Sequence, residues 1–249
     1  MKVIEYGNNN NEVIILLHGG GLSWWNYKEV AELLQQKYHI IIPVLDGHSE
    51  SDRPFTSIEN NAAEIIEYID NNFGGSVTMI GGLSLGGQIL VEILSQRSNI
   101  CKAAVIESAL IIPMKTTYHL VKPMIEMSYG LIKKRWFAKL QFKSLKIKNE
   151  LYDEYYKDTC NISKENMISF LKANAGYAVK KELSNTQSKV FVFVGQKEQT
   201  KMINSAYKLN KMISNSTLEI KNNMYHGEYS INYAKEYADK IIGIIENIN

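Results

Sequence analysis

The chain has 249 residues, 45% of them hydrophobic and 22% charged, with 28 Lys and Arg against 26 Asp and Glu for a formal net charge of +2. This suits a globular fold with one large core, and the near balance of charge gives no ground for a nucleic-acid partner. Two cysteines, Cys101 and Cys160, exclude a disulfide scaffold and read as reduced thiols; with no apolar leader in MKVIEYGNNNNEV and no run approaching a membrane span, the expectation is a cytoplasmic protein without stable membrane insertion.

Val13–Leu17 is a continuous apolar run, the pattern of a strand buried on both faces of a parallel sheet, and it ends in His18-Gly-Gly-Gly21. Asn8–Asn11 before it reads as a hairpin turn. A helix is predicted over 26–37, with Val30, Leu33 and Leu34 inward, then a second strand over 39–45 that enters the turn Asp46-Gly-His-Ser-Glu-Ser51. Thr56 or Ser57 can cap a helix carrying Ala62, Ile65, Ile66 and Ile69, closed by Asn72 and Gly74. Further strands are predicted at 77–80, 103–106, 190–194 and 217–220, and helices at about 201–212 and 228–248. The alternation of short apolar strands with amphipathic helices predicts a parallel sheet covered on both faces. It is interrupted between 113 and 188 by helical patterns alone, around 118–132, 136–145, 151–159 and 163–175. The expected organisation is therefore a core of residues 1–112 and 189–249, with 113–188 as a helical lid over the C-terminal ends of the strands.

The most informative stretch is Met79-Ile-Gly-Gly-Leu-Ser84-Leu-Gly-Gly-Gln88. A serine between strand and helix, with Gly82 and Gly86 two residues to either side, implies a sharp turn that strains the serine backbone and projects its hydroxyl. A Cβ at either glycine would strike the adjoining strand or helix. The N–H of Leu85 at the helix start can meet a developing negative charge. The plainer reading is a glycine-rich turn whose serine caps the helix. A serine nucleophile also needs a base, and that base needs an orienting partner. Of the five histidines, His18, His39, His48 and His119 lie in a glycine loop, a strand, a turn and the helical insert. His226 lies in the loop Met224-Tyr-His-Gly-Glu228 between the last strand and last helix, where it can reach Ser84; a histidine in such a loop is as often merely solvated.

Together these motifs resemble the α/β-hydrolase superfamily over nearly the whole chain. Gly82-Leu-Ser84-Leu-Gly86 is similar to the G-x-S-x-G nucleophile elbow and His18-Gly19-Gly20 to the HG-x oxyanion loop. Pro43–Ser51 is similar to the P-D-x-P-G-H-G-x-S turn, departing from it at Val44, Asp46 and Ser49, and His226-Gly227 to the late catalytic histidine. The resemblance implies Ser84 as nucleophile, His226 as base, and the N–H groups of Gly20 and Leu85 as oxyanion hole, with Gly21 as a possible third donor. The acid is expected three residues after a glycine that follows the 190–194 strand. Gly195-Gln-Lys-Glu198 places a glutamate where aspartate is usual, and Glu107, at the end of the preceding strand, occupies the alternative position. Glu198 is the favoured of the two.

One of Trp24 and Trp25 can wall an acyl pocket, though core packing is the expected role of at least one. Met114, Met124, Met127 and Tyr129 can line an adaptable pocket in the lid, with one or two of them expected to do so. The basic segment from Lys133 to Lys148, which contains Trp136 and Phe137, reads as a solvated lid surface rather than a site for anionic lipid or an acidic substrate. No metal, phosphate-loop or dinucleotide pattern is present, and no cofactor is expected. The expected activity is hydrolysis of a modest carboxylic ester, a small-molecule substrate, through a Ser-His-Glu triad and an acyl-enzyme. The alternatives are carbon–carbon bond hydrolysis by the same triad, or a non-catalytic hydrolase-like binding protein.

Overall fold

The computed structural model describes residues 1–248. In chain order the elements are β1 (Val3–Tyr6), β2 (Val13–Leu17), α1 (Lys28–Leu34), β3 (His39–Pro43), α2 (Ile58–Phe73), β4 (Val77–Leu83), α3 (Leu85–Gln96) and β5 (Cys101–Glu107). Then come α4 (Lys115–Ile132), α5 (Arg135–Leu145), α6 (Tyr152–Asn161), α7 (Lys164–Gly176), β6 (Lys189–Gly195), α8 (Thr200–Met212), β7 (Ser216–Lys221), α9 (Glu228–Asn232) and α10 (Ala234–Glu246). Seven strands form one sheet in the order β1-β3-β2-β4-β5-β6-β7, parallel except where β1 pairs antiparallel with β3. This is the α/β architecture expected from the alternation, a mostly parallel sheet flanked by helices.

The strand pattern explains the layers. Successive side chains of a strand point to opposite faces, so on β2 Ile15 and Leu17 join one apolar layer while Ile14 and Leu16 join the other. α2, α3 and α8 cover the first layer with residues such as Ile65, Ile89 and Leu209. α1 and α10 cover the second with Val30, Leu34, Tyr237 and Ile241. α2 begins where the Ser57 hydroxyl accepts the Asn60 N–H at 3.0 Å, and ends on Gly74 at φ 66°; of the two candidate caps, Ser57 does the capping.

Four local expectations are corrected. Val3–Tyr6 forms a strand that the sequence reading did not predict, and Asn8–Asn11 is a turn but not a hairpin, because β1 pairs with β3 and not with β2. Leu33 is 44% exposed, because Val30, Ala31 and Leu34, at i, i+1 and i+4, form the narrow stripe of α1 that meets the core. The last helix is broken at Tyr233 (φ −115°, ψ 46°), which allows Tyr229 and Ile231 before the break, and Tyr237 and Ile241 after it, all to be buried.

The helices α4–α7 leave the sheet after β5 and return at β6. They are fastened to the core by specific polar contacts. Asn174 Nδ2 donates to Gln88 Oε1 at 2.8 Å, Gln88 Nε2 donates back to the Asn174 carbonyl at 2.9 Å, and Trp25 Nε1 donates to the buried Asp158 carboxylate at 2.7 Å.

Candidate active site

Register brings the functional loops to one edge. β2 is aligned with β4 (Leu17 beside Gly82), β4 with β5 (Leu83 beside Glu107), and β5 with β6 (Glu107 beside Phe193). The residues that follow these strands, His18, Ser84, Ser108 and Gln196, therefore emerge side by side at the C-terminal end of the sheet, where open α/β sheets bind ligands.

Ser84 has φ 53° and ψ −111°, a conformation unusual for a residue with a side chain, and its N–H is held by the Glu107 carbonyl at 2.9 Å. The flanking glycines are required by contact. A Cβ on Gly82 would lie 2.4 Å from the Gly86 carbonyl oxygen, and one on Gly86 would lie 2.1 Å from that of Leu17. The close passage of strand over helix leaves no room for either.

The glycine loop after β2 is oriented by two buried histidines. His18 donates from Nδ1 to the Gly19 carbonyl at 2.9 Å and accepts the Leu45 N–H on Nε2 at 3.1 Å. His48 donates from Nδ1 to the Asp46 carbonyl at 3.0 Å and accepts the Gly21 N–H on Nε2 at 3.1 Å. Each ring thus uses one nitrogen as donor and the other as acceptor, which is the neutral form. Burial pushes His18 down to about 3, helped by the neighbouring His48, and pushes His48 down to about 4. The Gly19 N–H is taken by Asn26 Oδ1 at 3.3 Å. Gly21 is consequently not the extra oxyanion donor, since His48 consumes its N–H. Among the described residues, the N–H groups of Gly20 and Leu85 have no protein acceptor, as a site for an incoming oxygen requires.

His226 Nδ1 lies 2.7 Å from Glu198 Oε2. The other carboxylate oxygen accepts the Ser108 hydroxyl and the Gly195 N–H, each at 2.7 Å. The Glu198 side chain is 1% exposed, while that of His226 is 42% exposed. Burial opposes charge on Glu198, but its hydrogen bonds and the imidazole outweigh that, and its pKa is lowered. Burial likewise opposes charge on His226, yet the hydrogen bond and charge of Glu198 prevail, and its pKa is raised. Glu107 sits close by but accepts the Ser230 N–H at 3.3 Å, and its second oxygen has no partner among the described residues. Burial, reinforced by the Glu198 charge, lifts it to about 7 against the pull of Ser230 and His226. Of the two candidate carboxylates, the one bonded to His226 is Glu198.

Ser84, Glu198 and His226 line one cavity of about 310 Å³ together with Gly20, Leu22 and Tyr225. Ser144, Leu145 and Ile147 reach it from the helical insert. A second, apolar cavity of about 160 Å³ shares Gly20, Leu22 and Leu145 with the first and extends toward Ile125, Ile132 and Phe170. Two expectations about these walls are corrected. Met124 and Met127 line neither cavity and are 61% and 85% exposed, because the inward face of α4 is occupied by Val121, Ile125, Tyr129 and Ile132. Met114 and Tyr129 also lie outside both cavities, and the Tyr129 hydroxyl is spent on the Ile162 carbonyl at 2.8 Å. Neither Trp24 nor Trp25 lines either of these cavities; both pack into the layer covered by α1 and α10.

A family profile for the alpha/beta hydrolase fold matches residues 12–148, more than half of the sequence and including the elbow and the glycine loop. The chain belongs to the α/β-hydrolase family. No curated protein matches the sequence. Among solved structures, this α/β hydrolase is similar to a thermophilic esterase from Thermogutta terrifontis (15% identity, 99% of this chain and 93% of that one, TM-score 0.82). It is also similar to MenH from S. aureus (17%, 99% and 98%, 0.79) and to the enol-lactonase from Burkholderia xenovorans (12%, 98% and 96%, 0.82). At such identities the likeness is one of fold.

The α/β hydrolase also relies on residues that its motifs did not reveal. Ser108 and the Gly195 N–H fix Glu198, and Leu145, with Gly20 and Leu22, lines both cavities. Gly195 carried a signal in retrospect: it opens the acid loop, and a Cβ there would lie 2.4 Å from the Met224 carbonyl in the loop that carries His226. Ser108 and Leu145 carried none, since a serine after a strand and a leucine on a helix are ordinary.

Proposed function

We propose that this protein is a cofactor-independent serine hydrolase of small carboxylic esters. The observation that carries the reading is the 2.7 Å contact between Glu198 and His226 in the same cavity as Ser84. With Nδ1–H committed to Glu198, His226 presents Nε2 as an acceptor and takes the Ser84 proton as Oγ attacks the ester carbonyl. The imidazolium so formed is stabilised by the buried carboxylate, while the N–H groups of Gly20 and Leu85 receive the oxyanion; losing one such donor typically costs about 3 kcal/mol of transition-state stabilisation. Collapse of the tetrahedral intermediate expels the alcohol, which takes the proton from His226, and leaves the acyl group on Ser84. Water then attacks the acyl-enzyme with His226 again as base, releasing the acid and restoring Ser84.

In this reading the smaller apolar cavity receives the acyl chain and so favours a short one, and the insert over 113–188 acts as the lid that shapes it. The test is Ser84→Ala. The variant is expected to keep the fold and to lose both hydrolysis of p-nitrophenyl esters and labelling by a fluorophosphonate. Retention of wild-type turnover or labelling by the variant, in a preparation free of host esterases, refutes the nucleophile, and labelling of the wild-type chain without turnover of any ester points instead to another acyl substrate.

A further inference from the structure

Six of the eleven exposed large apolar side chains among the described residues fall in one short stretch, Leu120, Met124, Met127, Leu131, Trp136 and Leu140. On α4 the first four recur at intervals of four, three and four, which sets them in one line along the helix. They are not displaced core residues, because the buried contacts of α4 are supplied by Val121, Ile125, Tyr129 and Ile132. α5 repeats the arrangement. Ala138 and Phe142 turn inward, while Trp136, Lys139, Leu140 and Lys143, at helical spacing, form an outward face that mixes apolar and cationic side chains. Of the three tryptophans, Trp136 is the one exposed, at 65%.

The charge of this region has a definite sign. Residues 113–188 hold 14 Lys and Arg against 7 Asp and Glu, while the rest of the chain holds 14 against 19. A nearly neutral protein is thus polarised, with its cationic end on the helices that expose apolar side chains. Of the anionic groups nearby, Glu126 pairs with Lys122 and Asp153 with Arg135, whose guanidinium also stacks 4.7 Å from the Tyr156 ring, while the exposed Glu150 and Glu154 lie beyond α5 in the sequence. Lys134, Lys139 and Lys143 have no carboxylate within ion-pair distance among the described residues.

The basic segment read from the sequence as a solvated surface, but the line of exposed apolar side chains beside it changes that reading, and we infer that the outer face of α4 and α5 is a docking surface for an anionic lipid bilayer. Leu120, Met124, Met127, Leu131, Trp136 and Leu140 enter the interfacial layer, and Lys134, Lys139 and Lys143 meet its phosphates. An apolar stripe flanked by lysines, with a tryptophan at the boundary, matches the chemistry of a bilayer interface on both counts. A nucleic acid would leave the apolar stripe unsatisfied, and a neutral apolar partner would leave the lysines so. Adsorption of this kind is peripheral, and no helix among the described residues is long and apolar enough to cross a membrane. α5 also carries Leu145 to the wall of the cavity that contains Ser84, so the docked face and the site share one helix. The inference does not depend on the reaction proposed at Ser84.

The experiment is co-sedimentation of the full chain with vesicles of phosphatidylcholine alone and with about a third phosphatidylglycerol, at low and high salt. Binding is expected to the anionic vesicles at low salt, with a blue shift of Trp136 emission, and to be weakened at least tenfold by salt. Two double variants, Trp136→Ser with Leu140→Ser and Lys139→Glu with Lys143→Glu, should each lose at least tenfold in partitioning. Circular dichroism and turnover of a soluble short ester should stay at the wild-type level. Absence of binding to anionic vesicles, equal binding to neutral ones, or indifference to both double variants overturns the inference. So does a stable dimer in light scattering that the apolar double variant dissolves, since the face would then belong to a second copy of the chain.

Discussion

The replacement of Glu198 by glutamine tests the geometry of the site most directly, because the surrounding hydrogen bonds dictate how the amide must sit. In the wild-type chain, one carboxylate oxygen of Glu198 accepts both the Ser108 hydroxyl and the Gly195 N–H at 2.7 Å, and the other faces His226 Nδ1 at 2.7 Å. An N–H cannot accept from a donor, so the amide oxygen of Glu198→Gln is held at the Ser108 and Gly195 side and its NH₂ is turned toward His226. His226 must then accept on Nδ1 and carry its proton on Nε2, the nitrogen that should take the proton of Ser84. The variant therefore loses the charge that stabilises the imidazolium and also selects the wrong tautomer, a combination that costs about 10⁴ in turnover in a well-studied serine protease triad. A loss of at least a hundredfold in kcat/KM for a p-nitrophenyl ester is expected, about 2.7 kcal/mol or more. Glu107→Gln is the control. Glu107 bonds the Ser230 N–H and not His226, and burial raises its pKa, so a neutral amide resembles the protonated form that burial favours. Its effect should stay within roughly tenfold, about 1.4 kcal/mol. Both variants are to be compared at one pH, with circular dichroism showing that both fold. If Glu107→Gln is the crippled variant, or if both lose little, the tautomer argument fails.

Because His226 acts only when neutral and Glu198 raises its pKa, kcat/KM should rise with pH through one ionisation whose midpoint lies above the ordinary value of about 6.5; a profile flat from acid to neutral pH contradicts a histidine base. Gly86→Ala should abolish folding or lower stability by more than about 3 kcal/mol, since its Cβ would meet the Leu17 carbonyl at 2.1 Å, whereas Gly243→Ala, with open space around it inside α10, should raise stability by up to about 1 kcal/mol; thermal melts decide both. Leu145→Ala should join the two cavities and raise the relative kcat/KM for longer acyl chains several-fold, and a uniform change across all chain lengths argues against Leu145 as the dividing wall.

Features that depend on neighbours along the chain were legible in the residues alone. The apolar runs announced six of the seven strands, helical spacing of apolar residues announced the helices between them, and the glycines around Ser84 announced a turn that no other residue tolerates. The 2.1 and 2.4 Å approaches at Gly86 and Gly82 are the physical content of that spacing. Tertiary structure decided whatever depends on which distant groups become neighbours. Val3–Tyr6 is too short and mixed to signal a strand, and it becomes one because the edge of β3 offers its backbone groups a partner. Glu107 ends one strand and Glu198 follows the adjacent parallel one, and they look alike in the chain; only the placement of Ser108, Gly195 and His226 around one of them separates their roles. Gly20 and Gly21 are likewise indistinguishable in a triple-glycine run, and the distinction comes from His48, 27 residues beyond Gly21, which takes one N–H and leaves the other free. On α4, periodicity marked a broad apolar surface without saying which part of it the core would claim. Packing took Val121, Ile125 and Ile132 and left Met124 and Met127 in solvent, since a helix can bury only the side that meets its neighbours.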